Sequence, residues 1–143
     1  VSLSDKSHWT NQNLSFTRAL EDMILLARVI TKGALLRDEC RGAHYKPAFE
    51  IPPTSADDPV KLREQAEKWC RAFKEQSDRW LKTTIAKHTP NGPEITYEDV
   101  DTSLIPPRPR TYGLKGAEII EKTWKEMSKA MPTRKPQVAA VSG

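Results

Sequence analysis

The residues best suited to chemistry in this 143-residue chain stand close together, as Arg37-Asp38-Glu39 and Arg41-Gly42-Ala43-His44-Tyr45. Two guanidinium groups, two carboxylates, an imidazole and a phenol within nine residues offer more hydrogen-bonding groups than a helix end requires. They could bind a ligand, pair with a neighbouring domain, or fix the loop 46–53. Other candidate chemistry is sparse. His8, His44 and His88 are too scattered to form a metal set, and Cys40 and Cys70 match no metal spacing. Two cysteines are too few for a disulfide scaffold, which favours a reducing compartment. No glycine-rich phosphate loop, Ser-His-Asp pattern or paired catalytic carboxylates can be argued, so no catalytic and no metal residues are assigned.

The stretch that must position these groups precedes them. Phe16, Leu20, Met23, Ala27, Ile30 and Ala34 alternate spacings of four and three, and Ile24, Leu26, Val29 and Leu35 widen the apolar face. That period predicts a helix over about 13–40, capped by Asn11 or Asn13 and closed by Gly42. Arg37 and Arg41 would then sit on its last turn, where the carbonyl end of the helix favours cations. Such a helix needs partners, because most helical stability comes from packing.

A second helix starts at Asp58 as N-cap and Pro59 as first residue, with Leu62, Ala66, Trp69, Phe73 and Trp80 as its stripe. Between 57 and 79 the chain holds six acids and six bases, many spaced four apart, which reads as a solvated face. Leu81, Thr83 and Ile85 alternate with polar neighbours, Asn91-Gly92-Pro93 punctuates, and Ile95 and Tyr97 resume the alternation, a hairpin pattern. Residues 99–112 thread Pro106, Pro107 and Pro109 with Arg108 and Arg110, an extended segment suited to crossing a surface. A last helix is expected over 114–131, buried through Ile119, Ile120, Trp124 and Met127. Residues 132–143 lack periodicity and are expected to be disordered. The fold class is mainly α: a short helical bundle with a small β-hairpin and a proline-rich extended loop, in one domain over 1–131.

The net charge of +4 does not point to nucleic acid. Residues 1–100 hold 15 basic and 15 acidic side chains and residues 101–143 hold 8 and 4, so the excess is confined to the end, with no interleaved aromatic platform. No apolar run approaches the ~18–20 residues of a membrane span. The start at Val1 reads as a trimmed or processed edge.

Four stretches in order, Leu26-Ala27-Arg28-Val29-Ile30, residues 35–45, residues 80–86 and residues 95–106, resemble the C-terminal domain of the flavoprotein subunit of succinate dehydrogenase or fumarate reductase. The resemblance covers about 13–112 and implies a spectrin-repeat-like helical bundle. It departs from the family in having Cys40 where Ser is usual, and in a longer segment between Phe49 and Trp80 that reads as a surface insertion at about 51–79. It also lacks a first bundle helix and the FAD-binding and capping domains. The resemblance implies succinate–fumarate interconversion by the full-length subunit with FAD, and electron transfer to an iron-sulfur subunit and quinone. It places the complex on the cytoplasmic, inner face of the membrane, held by an anchor that this chain meets only indirectly. No cofactor is expected in this chain, which supplies packing and docking. The interface candidates are Arg37, Glu39, Arg41, His44, Tyr45, Arg108 and Arg110, facing the upstream FAD-binding domain and the iron-sulfur subunit. An L-aspartate oxidase C-terminal domain and a stand-alone helical interaction module are the alternatives.

Overall fold

The computed structural model describes residues 2–132. In chain order it has α1 (Gln12–Leu36), a 3-10 turn (Pro47–Phe49), α2 (Pro59–Trp80), β1 (Lys82–Lys87), β2 (Glu94–Asp99) and α3 (Ala117–Ser128). The mainly α fold with one antiparallel hairpin is the one predicted. The expected tail lies outside the described residues, apart from Pro132. No helix among the described residues is long and apolar enough to cross a membrane.

The chain forms two compact units. One takes the residues up to Leu36 together with the hairpin tip, Ala86–Thr96. Asn11 caps α1 through its side-chain oxygen, which accepts from the Leu14 amide at 2.9 Å. Lys32 Nζ donates to Pro93 O at 2.5 Å, and the tip closes through the Gly92 amide on Thr89 O. Two expectations fail here. The helix stops at Leu36 rather than near residue 40, and it has no buried residue at all. Phe16, Met23 and Ile30 are 65, 51 and 69% exposed, so the predicted stripe is amphipathic but uncovered.

The other unit takes Arg37–Ile85 and the described residues from Tyr97 onward. Its core is Ala66, Trp69 and Cys70 of α2 against Ile120 and Trp124 of α3, with Phe73, Ile119 and Met127 packed around them. Trp69 stacks on Phe73 at 5.4 Å, and Phe73 meets Trp124 edge-on at 4.9 Å. The start of α2 is as predicted: the Asp58 side chain accepts from the Lys61 amide, with Pro59 first in the helix. Segment 51–79 was expected to be a surface insertion; its charged face is solvated, while Ala66, Trp69 and Cys70 on its apolar stripe are buried in the core with α3. Before α3, Gly116 adopts φ 73°, a conformation that favours glycine, and a Cβ there would come within 3.0–3.2 Å of the Leu62 side chain, which would have to shift.

Candidate interface site

Helix α2 ends at Trp80, and the last carbonyls of a helix have no partners within it. The Leu81 amide bonds back to Ser77 O, while the guanidinium of Arg37 donates to Trp80 O and, through Nη1, to Thr84 Oγ1 at 3.0 Å. The same guanidinium lies 5.8 Å from the centre of the Trp80 ring. Both arginines were expected to close their own helix. They serve the end of α2 instead, since Arg41 Nη2 reaches Ser77 Oγ at 3.5 Å.

Glu39 joins them. Its carboxylate is fully buried and accepts from Arg37 Nε at 2.5 Å and from Arg41 Nε at 2.8 Å. A carboxylate withdrawn from water is tolerable only where donors replace its hydration, and here two cations do so. The triad carries a net positive charge to the end of a helix where carbonyl dipoles concentrate negative charge.

The turn after Glu39 is built by the backbone. Arg41 and His44 exchange both main-chain hydrogen bonds, at 2.9 and 3.0 Å, around Gly42 and Ala43. Gly42 has φ 60° with open space where a Cβ would stand, so its role is conformational. It turns this two-residue loop and does not end α1, a correction of the predicted helix stop. His44 Nε2 lies 2.9 Å from Arg37 O; a carbonyl can only accept, so the proton is on Nε2. Cys40 Sγ sits 3.3 Å from both the amide and the carbonyl of Lys46, whose ammonium pairs with Asp38 at 2.6 Å. Gln76 Nε2 donates to Phe49 O at 2.7 Å, fastening the loop to α2.

The predicted candidates therefore separate. Arg37, Glu39, Arg41 and His44 converge. Tyr45 points to Glu50, its hydroxyl 2.9 Å from the carboxylate, which raises the phenol's pKa by favouring the protonated form. Arg108 and Arg110 are exposed. Their stretch is held by Trp124 Nε1, which donates to Pro107 O at 3.1 Å. Ser77, Trp80, Thr84 and Gln76 belong to the site but were missed, because Ser77, Thr84 and Gln76 are common polar residues 36–47 positions from the arginines or outside any motif, and no spacing in the sequence ties their hydroxyls and amide to the cluster. The fourth, Trp80, was assigned only to the apolar stripe. Chemically, the triad is a lock: its charges are satisfied by one another and by the end of α2. No set of three metal-ligating side chains exists among the described residues.

Over residues 1–112 the sequence matches the family described as fumarate reductase flavoprotein C-term. The chain belongs to this family. It is similar to the succinate dehydrogenase flavoprotein subunit of Bacillus subtilis (strain 168), 43% identical over 117 residues. That alignment covers 80% of this chain and 16% of the relative. It is also similar to the fumarate reductase flavoprotein subunit of Serratia sp. (strain ATCC 39006), 30% identical over 129 residues, or 90% of this chain and 18% of that protein. No solved structure matches. The chain thus spans under a fifth of the length of either flavoprotein subunit. The family match takes in α1, the Arg41–His44 turn, α2, the hairpin and the proline-arginine stretch. Helix α3, which contributes Ile120 and Trp124 to the core, lies beyond it.

Proposed function

We propose that this flavoprotein C-terminal domain serves packing and subunit docking in an oxidoreductase that interconverts succinate and fumarate, and that it carries no catalytic group. The observation that supports this is the internal satisfaction of the triad: the arginines best suited to grip a dicarboxylate or a pyrophosphate are engaged by Glu39 and the end of α2. The residues of the triad are not suited to hold FAD, since its arginines are occupied by Glu39 and the end of α2. FAD and the hydride chemistry belong to the upstream part of the full-length subunit. In this reading residues 1–131 are one domain. Its exposed Tyr45, Arg108 and Arg110 meet the FAD-binding domain of the same subunit and the iron-sulfur subunit, while the triad holds the turn in shape. The complex sits peripherally on the cytoplasmic face of the membrane.

The 143-residue chain, purified alone, should carry no flavin and show no succinate-dependent dye reduction; either activity would sink the proposal. In the full-length subunit, Arg41→Ala and His44→Ala should weaken assembly with the iron-sulfur subunit before they alter the affinity for succinate. An intact complex with a selective loss of substrate affinity would argue for a direct ligand role instead.

A further inference from the structure

A cavity of about 550 Å³ lies between the end of α2, the stretch 102–107 and the end of α3 with the turn after it, all within the second unit. Leu81, Pro106, Pro107, Trp124 and Met131 wall it, so an occupant meets chiefly apolar surface. That volume falls within the range of small-molecule sites, which are mostly apolar with a few placed polar groups.

The polar groups around it narrow the chemistry of the occupant. The indole N–H of Trp124 is committed to Pro107 O at 3.1 Å and the Ser128 hydroxyl to Lys125 O at 3.3 Å. The two ionised side chains, Lys74 and Asp78, pair at 2.5 Å and together bring no net charge. Ser77 differs. It is 5% exposed and lines the cavity, and its Oγ accepts from Arg41 Nη2 at 3.5 Å. Its own O–H has no acceptor among the described residues, and a buried donor left unmade costs stability that a ligand oxygen restores. The guanidinium behind Oγ polarises the hydroxyl, which strengthens its O–H as a donor and weakens its oxygen as an acceptor. An acceptor is therefore favoured in the ligand. One hydroxyl cannot replace the hydration of a carboxylate, so a neutral carbonyl oxygen fits and a charged one does not. The Trp124 ring and the Met131 thioether favour an aromatic body beside it.

We infer that this cavity binds an uncharged aromatic compound whose carbonyl oxygen accepts the Ser77 O–H, independently of the docking role proposed above.

The test is a titration of the 143-residue chain, labelled at its methionine methyl carbons, with benzylacetone and read by NMR. The Met131 signal should shift saturably, with a Kd on the order of 1 mM, while that of Met23 in the first unit stays in place. Hydrocinnamate, close in shape but charged, should bind at least tenfold more weakly. Ser77→Ala should weaken the ketone about fivefold. Ser128→Phe, which fills the cavity, should abolish binding. In both variants an unmoved Met127 signal reports that the core is kept. A Met131 signal that does not respond, equal responses at Met23 and Met131, or binding indifferent to Ser128→Phe would overturn the site. Equal affinities for ketone and carboxylate, or no loss in Ser77→Ala, would overturn the ligand class.

Discussion

Helices α1 and α2 are equally easy to find in the sequence and end up in opposite conditions. Over 25 residues α1 buries nothing, while α2, at 22, buries five side chains and shares a sealed aromatic core with α3. The difference lies in the partner: that of α2 is some 50 residues downstream in the same chain, whereas no residue of α1 is buried. A hydrophobic period reports that a face wants covering. It carries no information on whether the cover is encoded nearby.

Substitutions can break or sharpen that contrast. The largest effect is expected at the lock. Glu39→Ala strands two largely buried cations and should cost ~3–5 kcal/mol in denaturant unfolding, with Glu39→Gln less harmful. In the core, Ile120→Ala should cost about 2–5 kcal/mol, whereas Ile30→Ala should stay within about 0.5 kcal/mol. Equal costs for the two isoleucines would erase the distinction between the helices.

An intermediate effect follows from Cys70. Burial pushes its thiol up to about 11 from an ordinary 9.0. Below pH 9 the thiol is neutral folded and unfolded; between 9 and 11 only the unfolded chain ionises, so stability present below pH 9 is lost progressively as pH rises. Wild type minus Cys70→Ala, followed by denaturation midpoints over that window, isolates the slope; a flat difference would contradict it. Smaller still, Tyr97 has a buried hydroxyl without a hydrogen-bond partner among the described residues, and Tyr97→Phe should leave stability unchanged or raise it by about 1 kcal/mol. Least of all, Lys115→Ala should only return the exposed Asp57 carboxyl, now held low by the Lys115 ammonium, towards its ordinary value, as read by NMR titration.

Local grammar carried much of the fold. Asp58-Pro59 marks the start of α2, Asn91-Gly92-Pro93 marks the hairpin turn, and Ile119, Ile120, Trp124 and Met127 name the inner face of α3. The end of α1 was misjudged because Gly42 suits a helix stop and a two-residue loop equally well, and only the hydrogen bonds between Arg41 and His44 distinguish them. The site was legible as a cluster of residue types: Arg37, Glu39, Arg41 and His44 do meet. Its purpose was not, because what the arginines bind is chiefly the carbonyl end of a helix that begins more than ten residues later. Sequence alone does not say which backbone groups are left over.

The bond from Cys70 Sγ to Ile120 O joins the two halves of the core across 50 residues. On a ribosome adding ~5–20 residues per second, about 3–10 s separate the synthesis of these partners. Throughout that interval the apolar stripe of α2 waits for α3, the helix that covers it in the folded chain. The newborn chain therefore passes through a period in which both long helices show bare faces, and a chaperone that binds amphipathic segments would find its substrate then.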